Sequence, residues 1–338
     1  MKYRLDHYSQ PLNGNITLSS SKSESNRTLI INALSGNQLQ LKNISDARDT
    51  QTMRRLLSDR QPVWDVLDAG TTMRFCTAYL AITGSGETIT GSNRMKERPI
   101  KLLVDALRKF GTKIDYLEQE GFPPLRISAR KNNFQSQKIS IPGNISSQYI
   151  SALLMIGPML PDGISIKLIG EIFSRPYIEM TLALMDHFGI KSTWKNQYIN
   201  IKSQRYQGRS YTIESDWSGA SYWYSMVALN KESNITLRGL RARSFQGDQN
   251  IINIMSKMGV ETEFISDGVE LTSIPVSELN QTIDFKNCPD LAQTVMVVAA
   301  IKGIKLIMTG LESLKIKETD RIQAMKKELL KIGSLLHE

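Results

Sequence analysis

The sequence predicts an α/β (α+β) fold of repeated helix-and-strand units on a chain long enough for two domains, and three observations carry that expectation. The first is length, because 338 residues exceed what one hydrophobic core usually serves. The second is recurrence. Four times a short polar or small-residue start opens an apolar helix, and a second, amphipathic helix follows and ends near Phe-Gly or an equivalent. These runs, Gly70 to Gly111, Ser147 to Gly189, Ser218 to Gly259 and Asp290 to Gly333, span 41, 42, 41 and 43 positions. An earlier version opens at Ser23, with its second helix near 49–57, so five units are visible. The third is the set of short β-branched runs between helices: Lys138 to Ile141, Ser165 to Leu168 and Asn234 to Leu237.

Within a unit the first helix is nearly all apolar, as in 150–159 or 291–301, which predicts burial on most sides. The second carries one apolar stripe, as in Ile178, Leu182, Met185 and Phe188, and one core-facing side. Gly111, Gly189, Gly259 and Gly333 follow the last periodic residue, where a left-handed residue closes a helix.

Composition narrows the function classes. With 41% hydrophobic and 22% charged residues, the chain reads as an ordinary globular protein. Met1 to Gln10 is polar, and no apolar stretch reaches the roughly 18 residues of a membrane span, so a cytoplasmic protein is expected. Cys76 and Cys288 lack the spacing of a zinc site or a disulfide framework and are expected to pack. The net charge of +9 is spread along the chain and points to an anionic partner. No zinc finger, basic zipper or RNA-binding signature makes that partner a nucleic acid.

The chemical signal lies at helix starts. Ser21-Lys22-Ser23-Glu24-Ser25-Asn26-Arg27 precedes the apolar run 29–34, gathering hydroxyls, free N–H groups and two cations at a positive helix end that favours anions. Asp68-Ala69-Gly70-Thr71-Thr72-Met73-Arg74 repeats the logic with a glycine that lets a ligand approach the backbone. Ser146-Ser147-Gln148 does so again. Each motif alone could be an ordinary N-cap. Three of them, with Lys22, Arg27 and Arg74 attached, favour a phosphate or carboxylate site.

Taken in order, these segments together with Arg94-Met95-Lys96-Glu97-Arg98-Pro99-Ile100, Ser174-Arg175-Pro176-Tyr177 and Lys317-Glu318-Thr319-Asp320-Arg321 resemble the signatures of the 5-enolpyruvylshikimate-3-phosphate synthase (3-phosphoshikimate 1-carboxyvinyltransferase) family of enolpyruvyl transferases, over almost the whole chain. The resemblance implies two domains, each an inside-out α/β barrel of three units around a pseudo-threefold axis, with a cleft between them. It places residues 1–20 plus 217–338 in one discontinuous domain and 21–216 in an inserted one. Five visible units against six imply that a sixth, with a further arginine and lysine for phosphoenolpyruvate, lies outside this sequence. The corresponding expectation is a 338-residue chain that folds but turns over poorly.

The implied reaction is transfer of the enolpyruvyl group from phosphoenolpyruvate to the 5-hydroxyl of shikimate 3-phosphate, releasing phosphate, by a monomer without metal or organic cofactor. Ser146, Ser147 and Ser174 resemble the family's ligands for the shikimate phosphate, with Ser23, Arg27, Gln148, Tyr177 and Lys317 around the rest. Lys22, Gly70, Arg94, Gln148 and Arg321 resemble the phosphoenolpyruvate group. Asp290 matches the carboxylate that takes the hydroxyl proton, and Lys22 and Glu318 the proton-transfer partners at the pyruvyl carbon. Without the resemblance, Asp290 could be a helix cap and 317–321 a solvated charged turn; 95–99 reads mainly as structural.

Some positions depart from the family. Asp68 stands where many members have Asn and is expected to point away or pair with a cation; Phe75 replaces a common proline; Ser313 stands where some members have Asn. Two other functions share parts of the pattern. The related transferase acting on UDP-N-acetylglucosamine usually has Lys-Asn at positions 22–23 and a cysteine within 91–99, where this chain has none. A non-catalytic protein binding a phosphorylated ligand would have no use for Asp290, Lys22 and Glu318.

Overall fold

The computed structural model describes residues 10–128 and 138–338. Most of the polar N-terminal stretch, and with it part of the expected 1–20 segment, lies outside the described residues. Eleven α-helices are seen among them: α1 (Lys22–Leu34), α2 (Arg48–Ser58), α3 (Gly70–Thr83), α4 (Asn93–Lys96), α5 (Lys101–Lys109), α6 (Ser147–Ile156), α7 (Arg175–His187), α8 (Trp217–Leu229), α9 (Ile251–Met258), α10 (Ala292–Lys302) and α11 (Arg321–Lys331). The paired helices of the five sequence units are α1/α2, α3/α5, α6/α7, α8/α9 and α10/α11.

Three four-stranded sheets repeat one topology. Two parallel strands are extended by an antiparallel hairpin: 63–65, 88–90, 125–127 and 114–116; 138–142, 164–169, 198–201 and 192–195; 13–17, 234–238, 268–273 and 260–265; the parallel pair is joined through one buried helix in the first two sheets and through the whole first core and α8 in the third. A helical crossover is what parallel neighbours require. Two further parallel pairs join 40–42 to 210–212 and 280–284 to 305–309. Strand 164–169 buries Ile164, Ile166 and Leu168 on alternate positions, as a half-buried strand must.

The apolar first helices α1, α3 and α6 are buried on nearly all sides, and in α6 every residue from Tyr149 to Ile156 is buried, whereas α8 leaves Tyr222 and Met226 exposed and α10 leaves Ile301 exposed. In α7 the stripe of Ile178, Met185 and Phe188 is buried, and Leu182 packs half-buried beside it. Gly111, Gly189, Gly259 and Gly333 all have φ between 79° and 104°, where a Cβ would be strained. Cys76 and Cys288 are buried packing residues.

There are two hydrophobic cores. One runs from Leu29 to Ile213; the other joins Leu18 to residues from Trp217 to Leu329. The chain crosses between them twice, side by side. Ser20 bridges Ser215, Ser21 N donates to Glu214 O at 2.8 Å, and Asp216 N donates to Ser19 O at 2.9 Å. Two buried glutamates sit at this crossing. Glu24 Oε2 accepts from Tyr211 Oη and from Glu214 N, and burial, opposed by that backbone bond, pushes its carboxyl up to about 7. Glu214 accepts from Trp217 Nε1 and Ser244 Oγ.

Candidate active site

A cleft of about 1030 Å³ lies between the cores and is walled by both. The helix starts singled out in the sequence open onto it, with different local chemistry. Ser21 caps α1 and Ser146 caps α6, each accepting a backbone N–H. The ordinary capping role is therefore real for both, and their neighbours Lys22, Ser23, Ser147 and Gln148 are left to face the cleft. Helix α3 has Ala69 at its N-cap position and so no side-chain cap. Ser174, before Pro176 at the start of α7, is held left-handed at φ 53° while its N–H donates to Lys286 O.

Asp290 is the hub of the opposite wall. It lies in a 3-10 turn, Pro289–Leu291, and its carboxylate caps no helix. Instead Oδ1 is 2.9 Å from Arg321 Nη1 and 3.5 Å from Lys317 Nζ, and Tyr177 Oη, from the other core, donates to Oδ2 at 3.2 Å. Burial alone would raise its pKa, but Lys317, Arg321, Lys22 and the Tyr177 hydrogen bond together hold it well below the usual carboxylate range. Tyr177 shows the reciprocal effect: burial, then the negative charges of Asp248, Asp290 and Asp216, push its hydroxyl far upward, so it stays a donor. The 317–321 segment is thus no freely solvated turn, since Lys317 and Arg321 are half-buried in ion pairs.

Lys22, Ser23, Arg27, Ser146, Ser147, Gln148, Ser174, Tyr177, Asp290, Lys317, Glu318 and Arg321 all line this one cleft. Gly70 and Arg94 do not. Gly70 is covered by the Arg98 guanidinium, which a Cβ at position 70 would meet at 2.4 Å. Arg94 turns to the main chain of the far wall, its Nε and Nη2 donating to Glu318 O and Lys317 O at 3.2 Å each, while Nη1 pairs with Glu97.

Arg27 is the second surprise. Only 2% exposed, it donates to Thr181 Oγ1 at 2.7 Å, Ser23 O, Ser151 Oγ and Tyr177 O, and its guanidinium lies over the Phe75 and Tyr177 rings. Phe75 thus forms part of the wall behind this arginine. Asp68 pairs with Arg48 at 3.5 Å, at the edge of the site.

The cleft also holds Thr71 and Arg74 of the second helix-start motif, and two groups that the sequence did not single out as ligands, Asp49 and Arg98. Gln148 Nε2 donates to Thr71 Oγ1, and Lys22 Nζ stands 4.0 Å from Asp49, whose carboxyl is raised by burial against the pull of Lys22. Arg98 was hidden because a buried arginine inside a charged Lys-Glu-Arg run has no distinguishing local signature. Its guanidinium, lowered to about 10 by burial and by neighbouring Arg74, is still charged at neutral pH. Chemically the cleft joins hydroxyls and cations suited to oxyanions with carboxylates and a lysine able to move protons.

Comparison with known proteins agrees. The family model for EPSP synthase (3-phosphoshikimate 1-carboxyvinyltransferase) matches residues 7–61 and 54–338. A 3-phosphoshikimate 1-carboxyvinyltransferase of Bacteroides fragilis (strain YCH46) is 48% identical over 339 residues, covering 100% of this chain and 82% of the relative. One from Yersinia pestis bv. Antiqua (strain Angola) is 35% identical over 356 residues, covering 97% and 82%. An Acinetobacter baumannii EPSP synthase structure superimposes with TM-score 0.71 at 19% identity, over 94% of this chain and 78% of that one, a likeness of fold. On sequence and on architecture alike, the chain belongs to the EPSP synthase family.

Proposed function

We propose that this cleft transfers the enolpyruvyl group of phosphoenolpyruvate to the 5-hydroxyl of shikimate 3-phosphate, with release of phosphate, by addition and elimination. The observation that carries the reading is the setting of Asp290, an ionised carboxylate held between Lys317, Arg321 and Tyr177 where the two walls meet. Ser146, Ser147 and Ser174 receive the shikimate phosphate, while Ser23, Arg27, Gln148, Tyr177 and Lys317 hold the rest of that molecule. Lys22, Gln148 and Arg321 receive phosphoenolpyruvate, with Gly70 and Arg94 at its rim.

In the addition step the 5-hydroxyl attacks C2 of phosphoenolpyruvate as C3 takes a proton. Asp290 accepts the hydroxyl proton, and Lys22 and Glu318 supply and later remove the proton at C3 as phosphate leaves. In its present setting Asp290 is a weak base, because three cations stabilise its charge. Anionic substrates that draw Lys317, Arg321 and Lys22 to themselves raise its proton affinity as the hydroxyl arrives. The same cations stabilise charge on the tetrahedral intermediate.

The reading divides the chain at the paired crossing, with 21–216 inserted between 1–20 and 217–338, and makes the protein a cytoplasmic monomer. Among the described residues no helix is long and apolar enough to cross a membrane. Calorimetric titration with shikimate 3-phosphate, beside UDP-N-acetylglucosamine and a short DNA duplex, tests it. Preferential binding of either competitor overturns the assignment.

A further inference from the structure

The loop that leads into α7 is tied to both cores by successive amides. Phe173 N donates to Gly143 O at 3.0 Å, inside the first core and just before the stretch that carries Ser146 and Ser147. Ser174 N, one residue on, donates to Lys286 O at 3.0 Å, in the second core. The first of these ties is tight, since a Cβ on Gly143 would meet Glu171 O at 2.6 Å. The three serines given the shikimate phosphate therefore share one frame, and one side of that frame belongs to the opposite wall.

We propose that Lys286 is a positioning residue for Ser174, and that its ion pair with Glu171 across the cores strengthens the cleft's preference for a phosphorylated substrate. The inference rests on the role given to Ser174 above. Three observations support it. Ser174 is held at φ 53° and ψ 37°, and its side chain caps no N–H of α7. A residue with a Cβ stays in that left-handed region only where its surroundings impose it, and the Lys286 carbonyl is the partner that its N–H meets. The Lys286 side chain then folds back over the same loop: Nζ pairs with Glu171, lies 5.4 Å from the centre of the Phe173 ring and stands 3.7 Å from Asp284. One residue of the second core thus holds positions 171, 173 and 174 of the first. Finally, Lys286 is itself fixed. Its N–H donates to Asp284 Oδ1 at 2.9 Å, Gly310 packs so closely that a Cβ there would strike Lys286 N, and its side chain is 24% exposed against 63% for Glu171. The lysine is the fixed partner and the loop the placed one. Asp290 follows four residues later, so the segment that places Ser174 also carries the carboxylate.

Shikimate 3-phosphate and shikimate differ only in the phosphate, so a displaced Ser174 is felt by the first and not by the second. The test measures the affinity of the full chain for both, in Lys286→Glu, in Glu171→Lys and in the double variant that exchanges the two charges. Each single variant should weaken shikimate 3-phosphate binding about threefold, the scale of an exposed ion pair in affinity, with shikimate binding unchanged. The double variant should restore the original preference. Lys286→Met, which removes the pair without reversing it, should fall in the same direction. Exchange of the Ser174 amide, read without ligand, should quicken in both single variants and slow again in the double one.

A general effect of charge on a dianion makes the opposite prediction for one variant: Lys286→Glu would weaken binding and Glu171→Lys would tighten it. Opposite signs, or unchanged affinity and unchanged Ser174 exchange in both, overturn the proposal. Equal weakening of both ligands also overturns it, because the loss would then not lie at the phosphate. If the unaltered chain itself shows no preference for shikimate 3-phosphate over shikimate, the reading of Ser174 fails first. That failure is seen before any substitution is made, and so is distinguishable.

Discussion

The two cores are built from similar units but close differently. In the first, α1, α3 and α6 touch one another pairwise, so each apolar helix is covered by two others and by its sheet. In the second, α8 and α10 pack against each other, and Ile301, Leu330 and Ile332 on α10 and beyond α11's start stay more than half exposed. The walls they present also differ. The first core offers hydroxyls and buried guanidiniums; the second offers Asp290, Lys317, Glu318 and Arg321. Burial on every side holds a binding surface still, while partly exposed ion pairs leave carboxylates free to change protonation. The comparison assigns substrate holding mainly to the first wall and proton transfer mainly to the second.

The largest expected effect tests that division. Asp290→Asn should lower turnover by about 10²- to 10⁴-fold, the usual range for a lost general base, while shikimate 3-phosphate binding stays within about tenfold. Phosphate release and calorimetry measure the two, and near-normal turnover would take Asp290 out of the chemistry.

The difference in closure is next. Leu153→Ala, wholly inaccessible in α6, should cost about 2–5 kcal/mol of stability. Leu330→Ala, 60% exposed in α11, should change it by less than about 0.5 kcal/mol. Denaturant unfolding followed by hydrogen exchange would also show α1, α3 and α6 exchanging more slowly than α8 and α10; the reverse order would break the comparison.

A third outcome concerns the crossing that joins the cores. Glu24 is raised to about 7, chiefly by burial, with Tyr211, Glu214 and Arg241 facing it. A folded-state pKa above the unfolded one favours folding while the group is protonated. The contribution is therefore complete below the unfolded value, near 4.5, and is lost as pH rises through about 7. Glu24→Gln, which mimics the protonated form, should remove that slope and be the more stable protein at pH 8, by on the order of 2–3 kcal/mol. Parallel stability curves from pH 5 to 8 would refute it.

The smallest effect sharpens the first wall. Arg27→Ala should weaken shikimate 3-phosphate binding about tenfold to a hundredfold, at roughly 1.5–3 kcal/mol for a hydrogen bond to a charged group. The burial of Arg27 and its bonds to Thr181, Ser151, Ser23 and Tyr177 predict a lower Tm as well. Unaltered affinity with lowered Tm would reduce Arg27 to a scaffold.

Much of the architecture was legible in the chain. Apolar first helices, striped second helices and closing glycines are local facts, because helical period and left-handed backbone are decided within a few residues. The anion-seeking character of the serine and lysine motifs could be expected for the same reason: each marks a helix start. Which helix starts share a cleft is not local. The sequence determined by itself the repeated units, the anion-seeking helix ends and the family resemblance. Only the tertiary structure decided that Asp290 meets Tyr177 across the cores, that the Arg98 guanidinium lies against Gly70, and that Arg94 grips the 317–318 main chain. Those pairings join residues more than a hundred positions apart or depend on which way a long side chain turns, and burial and the sum of nearby charges fix that choice only once the cores have packed.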